Sequence, residues 1–267
     1  MTTQFISLGS GSSGNSYYLG TPKYGILIDA GISFRQIRKI LKAYNIDTER
    51  IAAIFITHDH GDHIRHIETL MDKLNVPLFC TPNVHQGINS NRLIKAPLYQ
   101  DIHHIEKEIT MEFRDFKITA FEVPHDATEN VGYCFEIDDK IFTIATDLGE
   151  ITPIAAHYLK KANYLIIEAN YEEEMLRMGG YPQYLKERVS SRTGHLSNEA
   201  TAAFLSENYQ DNWRYIWLCH LSKDNNHPEL AYKTVENKLR EREITVGKDL
   251  TLIPLKRTVP SELFIFD

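Results

Sequence analysis

Short apolar runs separated by turn residues open the chain. Residues 5–8, 16–19 and 25–28 are three such runs, and Gly, Ser or Pro residues stand between them. Runs of this length with such boundaries are typical of short β-strands. The run 52–56 is apolar at every position, which is typical of a strand covered on both faces. The first part of the chain therefore predicts a sheet.

Helical spacing follows these strands. Ile37, Ile40 and Leu41 recur at intervals of three and four residues after Ser33, which predicts a helix with Ser33 as its N-cap. The same spacing predicts a helix over 64–74. Further strands are predicted at 76–80, 116–123, 131–137, 141–145, 164–167, 215–219 and 250–255, and further helices beginning at 82 and over about 152–160, 171–177, 181–190, 197–207 and 228–241.

The order of these elements predicts the fold class. Two β-rich zones are each followed by helices, which favours an α/β fold of two packed sheets with helices outside. The 267 residues contain no repeat, no low-complexity tract and no linker. We therefore expect one domain over residues 1–267, a length that layered α/β folds reach without splitting.

Composition narrows the function classes. The net charge of −7 argues against a general nucleic-acid coating protein, which would carry a basic surface. It leaves open an enzyme that holds phosphates with metal ions and a few local cations. No 18-residue stretch lacks charge, and residues 1–4 do not resemble a secretory signal. The three cysteines are far apart and lie in apolar runs. The cysteines predict free thiols in a reducing compartment, and we therefore expect a cytoplasmic protein. The absence of an uncharged stretch predicts that the protein does not enter the membrane.

The segment His58-Asp59-His60-Gly61-Asp62-His63 carries the clearest chemistry. It places three imidazoles and two carboxylates in six residues, directly after the apolar run 52–56. Imidazole and carboxylate are the ligands that suit Zn²⁺ and, with more oxygen, Mn²⁺ or Fe. We interpret these side chains as metal ligands fixed at a strand end. The alternative is a polar loop that is rich in histidine by chance.

Five later residues share this placement. His125, Asp147, Glu168 and His220 each follow a predicted strand, and His195 precedes a predicted helix. One such residue alone is more typical of a cap or a satisfied polar group. Together they indicate a single site, because ligands that follow strands meet at one edge of a sheet.

These residues resemble the metallo-β-lactamase superfamily over essentially the whole chain. His58 to His63 match its H-x-H-x-D-H motif, and the order His125, Asp147, His220 matches its remaining ligands. The resemblance implies a four-layer αβ/βα sandwich, in which two mixed sheets have helices outside, and two divalent metal ions, Zn²⁺ or Mn²⁺. By this resemblance His58, His60 and His125 bind one ion, Asp62, His63 and His220 bind the other, and Asp147 bridges them.

The charge of such a centre agrees with hydrolysis of an anionic substrate. Two divalent ions, less Asp62, Asp147 and a bridging hydroxide, leave a charge of about +1. Metal coordination lowers the pKa of water toward ~7. The predicted nucleophile is therefore the bridging hydroxide.

Glu168 and His195 indicate a branch of the superfamily. A Glu after a strand and a downstream Gly-His-Ser element resemble the tRNA 3′-processing nucleases, and Gly194-His195-Leu196-Ser197 is similar to that element. The resemblance implies that Glu168 orients His195 and that His195 is the general acid. With Asp62, these are the predicted catalytic residues. The alternative for His195 is a cap on the helix at 197–207.

Four segments are similar to the WalJ/YycJ (VicX)-like exonuclease group of this superfamily: 8–16, 29–31, 194–198 and 220–226. The similarity implies a DNA exonuclease that acts from 5′ ends. The Gly-Ser segment 9–16 is either a phosphate cradle or a tight hairpin turn. The predicted substrate-binding residues are Ser12, Ser13, Asn15, Arg192, Lys223 and Asn226.

The sequence leaves two other functions open. One is hydrolysis of a small molecule by the same fold, with a cyclic nucleotide, another phosphodiester, a lactone or a thioester as substrate. The other is an accessory protein that keeps its metals only for structure. The pair Glu168 and His195 favours the nuclease, and an intact ligand set argues against the accessory protein.

Overall fold

Fourteen strands and nine α-helices make up the fold in a computed structural model that describes residues 1–267. The strands are β1 Thr3–Gly9, β2 Ser16–Gly20, β3 Gly25–Ile28, β4 Ile51–Phe55, β5 Leu78–Cys80, β6 Ile102–His104, β7 Met111–Phe113, β8 Phe116–Glu122, β9 Val131–Ile137, β10 Lys140–Ala145, β11 Tyr164–Glu168, β12 Tyr215–Cys219, β13 Thr251–Pro254 and β14 Phe264–Phe266. The helices are α1 Phe34–Ala43, α2 Gly61–Ile64, α3 Ile67–Leu74, α4 Pro82–Ser90, α5 Pro153–Lys161, α6 Glu173–Met178, α7 Gln183–Val189, α8 Asn198–Glu207 and α9 Pro228–Arg240.

The chain divides into two compact units, each built on one seven-stranded sheet. Unit 1 comprises residues 1–106, 127–129 and 256–267, and unit 2 comprises residues 107–126 and 130–255. The strand order in unit 1 is β14-β1-β2-β3-β4-β5-β6. The order in unit 2 is β13-β12-β11-β10-β9-β8-β7. The prediction of a single domain over 1–267 stays a prediction.

The sheet of unit 1 changes from antiparallel to parallel at β3. Strands β1, β2 and β3 pair antiparallel, whereas β3, β4, β5 and β6 pair parallel. All five residues of β4 are buried, as expected for a strand that is covered on both faces. Since parallel strands end at the same edge, the residues that follow β3 and β4 lie side by side. Those residues are Asp29 and the segment that begins at Thr57.

The sheet of unit 2 is also mixed, and its parallel part is β10 to β13. The register pairs Ala145 with Ile167 and Glu168 with Cys219. Asp147, Glu168 and His220 are therefore neighbours at one edge of this sheet. Both sheets are mixed, as the family resemblance implies.

Two local differences from the sequence prediction have physical causes. The helix predicted over 64–74 is interrupted, because the backbone N–H of His66 donates to the carbonyl of Ala30 at 2.9 Å instead of continuing the helix. The sequence pattern does not predict strands β6, β7 and β14, each of which has only three residues. Such short strands form by pairing with a neighbour: β6 pairs with β5, β7 with β8, and β14 with β1, in which Thr3 faces Phe266.

Cys80, Cys134 and Cys219 are buried free thiols, as the sequence predicts. None of the helices combines the length and the apolar character that spanning a bilayer requires.

Substitution of Gly31 can test how tightly the turn after β3 packs in unit 1. A Cβ atom at Gly31 would lie 1.8 Å from the carbonyl oxygen of Asp62, whereas a Cβ at Gly180 would meet nothing within 4 Å. We expect Gly31→Ala to lower the free energy of unfolding by about 1–3 kcal/mol, because backbone must move. Gly180→Ala should change it by less than about 0.5 kcal/mol. Urea denaturation of both variants measures this, and equal effects would contradict the close packing.

Candidate functional site

Unit 1 brings three imidazoles together directly after β4. The ring centroids of His58 and His60 are 4.8 Å apart, and those of His58 and His63 are 4.0 Å apart. His58 and His63 are completely buried. Asp62 and His63 lie on α2, which begins at Gly61. We call His58, His60, Asp62 and His63 the N-terminal ligand cluster.

A buried carboxylate is bonded to this cluster through the Nδ1 atom of His63. Asp29 Oδ2 is 2.7 Å from His63 Nδ1, and its Oδ1 accepts a hydrogen bond from the backbone N–H of Thr57 at 2.9 Å. The Thr57 hydroxyl lies 3.0 Å from His58 Nδ1. When a histidine donates its Nδ1 proton to a carboxylate, its Nε2 lone pair is the atom left for a metal. Asp29 therefore fixes the orientation and tautomer of His63.

Asn15 reaches the same cluster from the Gly-Ser segment. Its Nδ2 is 2.9 Å from His63 Nε2 and 3.1 Å from Asp62 Oδ2. Its Oδ1 accepts a hydrogen bond from the backbone N–H of Gly11 at 2.7 Å. One buried amide thus closes the turn and contacts two predicted ligands.

Unit 2 assembles a second group at the ends of β10, β11 and β12. Asp147, Glu168, His195 and His220 each offer one ligand-type atom, and these atoms all lie within 4.8 Å of one another. Three of these residues come from strand ends, and His195 comes from the segment that leads into α8. We call this group the Glu168 cluster.

Glu168 is the centre of its cluster and is completely buried. Its Oε1 accepts hydrogen bonds from Nδ1 of His195 at 2.8 Å and of His220 at 2.9 Å. Its Oε2 accepts from the backbone N–H groups of Leu148 at 2.9 Å and Leu196 at 3.1 Å. The family resemblance predicts the contact of Glu168 with His195 only, so the hydrogen bond to His220 is an additional contact. One carboxylate orients both rings.

Burial and charge act in opposite directions on this pair. Burial alone would raise the pKa of Glu168, but the charge and hydrogen bond of His195 and the hydrogen bond of His220 hold that pKa below its ordinary value. Burial alone would lower the pKa of His195, but the charge and hydrogen bond of Glu168, with Asp147, raise it. The Glu168 carboxylate therefore favours a protonated His195.

His125 is oriented by a main-chain carbonyl of the same unit. Its Nδ1 donates to the carbonyl oxygen of Gly194 at 2.8 Å, and its ring centroid is 5.0 Å from that of His195. A ring held through Nδ1 presents Nε2 for coordination. The same segment that carries His195 therefore also fixes His125.

Three site residues that follow strands have a left-handed backbone. The φ angles are 63° at Asp29, 55° at Asp147 and 53° at His220. This region is uncommon for residues other than Gly, although Asp, Asn and His enter it more readily than most. Internal bonds hold the conformation: Asn130 donates to the carbonyl of Asp147 at 2.7 Å, and Asn170 donates to that of His220 at 2.7 Å.

The Gly-Ser segment has the character of a tight turn. Three backbone N–H groups of the segment donate to backbone carbonyl oxygens. Gly14 donates to the carbonyl of Gly11 at 2.8 Å, Asn15 to that of Asp62 at 2.8 Å, and Ser10 to that of Arg257 at 3.2 Å. With the Gly11 N–H bound to Asn15, four amides of the segment have internal partners. These four amides favour the turn over the phosphate cradle.

The other predicted substrate-binding residues differ in exposure. Ser12, Ser13 and Lys223 are exposed. Arg192 is exposed and forms a two-bond ion pair with Glu150, at 2.8 and 2.9 Å. Asn226 is buried, and its amide holds the carbonyls of residues 169 and 170 at 2.9 Å each. Their binding of substrate stays a prediction.

The donor atoms of both clusters fit a divalent metal. They are imidazole nitrogens and carboxylate oxygens, which suit Zn²⁺ and Mn²⁺. Thiolate is absent from the set, and burial raises the pKa of Cys80 to about 12 and of Cys134 to about 11. The sequence predicts the ligands but gives no sign of the roles of Asp29, Thr57 and Asn170, because those residues act through other side chains.

Replacing Glu168 with Gln tests its role as a buried acceptor. Glu168→Gln should lower the free energy of unfolding in EDTA by about 3–5 kcal/mol, because it leaves two imidazole N–H groups without their carboxylate. The Glu168 pKa is lowered by folding, so its contribution is present above about pH 4.3 and lost as the pH falls through the folded value. Denaturation at several pH values measures both effects.

Glu174→Gln is the matched control, because the Glu174 side chain is 67% exposed and its loss should cost less than about 1 kcal/mol. Equal losses for the two variants would show that Glu168 does not hold the cluster.

Sequence comparison relates the whole chain to known proteins. A family model described as "Beta-lactamase superfamily domain" matches residues 24–211. Exodeoxyribonuclease WalJ of Streptococcus pneumoniae serotype 2 is 38% identical over 246 residues, which cover 92% of this chain and 91% of the relative. Exodeoxyribonuclease YycJ of Bacillus anthracis is 31% identical over 263 residues, which cover 98% of this chain and 99% of the relative.

A solved structure confirms the fold. The metallo-beta-lactamase fold protein YhfI of Bacillus subtilis matches with a TM-score of 0.71 at 13% identity, over 100% of both chains. The predicted metallo-β-lactamase fold, with two mixed sheets flanked by helices, is therefore confirmed. On the family model and on both relatives, this chain belongs to the beta-lactamase superfamily.

Proposed function

We propose that this protein is a metal-dependent exodeoxyribonuclease that acts from 5′ ends of DNA. The observation that carries the proposal is the 2.8 Å hydrogen bond between the buried Glu168 and the partly buried His195, beside Asp147 and His220. A thioester releases a thiolate, which is a good leaving group and needs no acid, whereas a DNA phosphodiester releases a 3′ alkoxide, which is a poor leaving group and gains from protonation. The two relatives named as exodeoxyribonucleases support the same activity, because they align over nearly the full chain.

The proposed metal ligands are those that the family resemblance implies. His58, His60 and His125 would hold one divalent ion, Asp62, His63 and His220 would hold a second, and Asp147 would bridge them. Bound Zn²⁺ or Mn²⁺ supplies positive charge to phosphate oxygens and lowers the pKa of water.

His195 is the proposed general acid. Glu168 binds Nδ1 of the ring, so Nε2 is the atom that gives a proton to the leaving 3′ oxygen. The raised pKa of His195 keeps that proton available near neutral pH. Glu168 does not touch substrate in this proposal; it positions the ring and stabilises its positive charge.

The substrate and compartment follow from the same proposal. DNA is the proposed partner, with Ser12, Ser13, Asn15, Arg192, Lys223 and Asn226 as candidate contacts. The cytoplasm is the proposed location, because it keeps thiols reduced and the three cysteines are free.

Digestion of end-labelled DNA tests the activity directly. Purified protein with Zn²⁺ or Mn²⁺ should degrade linear duplex and release label from the 5′ end first, should leave a closed circle intact, and should lose activity in EDTA. Bis-p-nitrophenyl phosphate and an acyl thioester serve as small-molecule comparisons. Turnover of the thioester with no cleavage of DNA would overturn the proposal.

His195→Ala tests the general acid. The variant should lose roughly 10²–10⁴-fold in kcat on DNA, the usual contribution of a positioned acid. Its metal content should equal that of the natural protein, because His195 is not a proposed ligand. His157→Ala is the matched control, since His157 is exposed on α5.

Metal analysis by mass spectrometry, together with single-turnover rates, measures both quantities for the two variants. Loss of metal from the His195→Ala protein would instead make His195 a ligand and remove it from acid catalysis.

A further inference from the structure

A cavity of about 510 Å³ lies within unit 1 and is not used by either ligand cluster. It is lined by α1, by the Gly-Ser turn and by residues 257, 258 and 260. Its volume falls in the range of small-ligand sites, roughly 300–1,000 Å³. Lys39, Arg65 and Arg257 line it, and no Asp or Glu does.

The two arginines converge on one residue of the turn. Arg65 Nη1 donates to the carbonyl oxygen of Ser13 at 3.3 Å, and Arg257 Nη2 lies 3.0 Å from the Ser13 hydroxyl. Each guanidinium group carries five N–H donors, and each of these two bonds uses only one of them. Both guanidinium groups therefore keep donors for a further acceptor.

The charge of this cavity is uncompensated. Lys39, Arg65 and Arg257 form no ion pair with a carboxylate, whereas Arg188 and Arg192 each do. In a protein with net charge −7, three cations around one cavity create a local positive potential. Such a potential attracts an anion, and guanidinium groups suit phosphate in particular.

The rest of the lining is apolar and includes an aromatic ring. Leu8, Ile32 and Ile40 line the cavity together with Tyr44, whose hydroxyl donates to the carbonyl of Ser261 at 3.3 Å. An aromatic ring beside cations is the combination that binds single-stranded nucleic acid, because bases stack while phosphates pair with charge. A free inorganic anion would make no use of this apolar wall.

The cavity is joined to the N-terminal ligand cluster by short stretches of chain. Ser13 lies two residues before Asn15, which contacts Asp62 and His63. Arg65 lies two residues after His63. Two residues span at most about 7 Å, so the cavity lies close to these proposed ligands.

We infer that this cavity is a subsite for one nucleotide of the DNA strand. Lys39, Arg65 and Arg257 bind a backbone phosphate, and Tyr44 with the apolar wall receives the base. The inference rests on the proposed nuclease function. The side-chain cations supply the phosphate contacts, because four amides of the neighbouring turn are already bonded internally.

Binding of a dye-labelled, phosphorothioate-linked single-stranded oligonucleotide to metal-loaded protein tests the subsite. Lys39→Gln and Arg257→Gln should each weaken binding about tenfold, and each should reduce the slope of log Kd against log salt by about 0.7, the value for one phosphate. Arg38→Gln is the matched control, because Arg38 is the exposed neighbour of Lys39 on α1 and does not line the cavity. It should leave Kd within about twofold.

Kinetics separate the subsite from the catalytic groups. Both variants should raise KM on DNA with little change in kcat, and kcat/KM on bis-p-nitrophenyl phosphate should stay at the natural value. Tyr44→Leu should weaken oligonucleotide binding roughly 5- to 100-fold if a base stacks there. Unchanged Kd in both charge variants, or an equal loss in Arg38→Gln, would overturn the inference.

The binding assay also separates this inference from the proposed function. If the natural protein binds the oligonucleotide but cleaves no DNA, the nuclease proposal fails, and the charge variants still decide the subsite. If the natural protein does not bind the oligonucleotide at all, the subsite is wrong even where DNA is cleaved.

Discussion

The chemistry of unit 2 depends on the hydrogen bonds that the buried carboxylate of Glu168 accepts from His195 and His220. Burying a charged group away from water costs free energy unless the group is fully hydrogen-bonded. Glu168 meets this condition, because two imidazoles and two backbone amides donate to it. The same bonds fix both rings in one tautomer. The requirement to satisfy a buried charge and the requirement to aim histidine nitrogens are therefore met by one set of contacts.

Asp29 has the equivalent role in unit 1. It is fully buried, bonds Nδ1 of His63, and is itself held by the amide and hydroxyl of Thr57. Each unit thus places a carboxylate at the end of a parallel strand, behind the imidazoles. Parallel strands make this arrangement accessible, because their carboxyl ends share one edge and side chains from sequence-distant segments meet there.

Positive charge is distributed unevenly in this acidic chain. Arg188 and Arg192 are neutralised by Asp126 and Glu150, so proximity to His195 in sequence does not by itself make them phosphate ligands. The cations around the unit 1 cavity lack such partners. A cation that already has a carboxylate partner must exchange that partner for a phosphate, whereas an unpaired cation need not.

The sequence by itself determined most of the strand-and-helix order and the residue types of the candidate ligands. Those features leave local marks, namely apolar runs, helical spacing and a dense His-Asp motif after a strand. The mixed sheets and the pairing of Glu168 with His195 were expected from the resemblance to the metallo-β-lactamase superfamily. Only the tertiary structure decided the roles of Asp29, Asn15 and Asn170, the second bond of Glu168 to His220, and the cavity beside Tyr44. These depend on contacts between residues far apart in the chain, where hydrogen-bond geometry selects one partner among many and no spacing in the sequence records the choice.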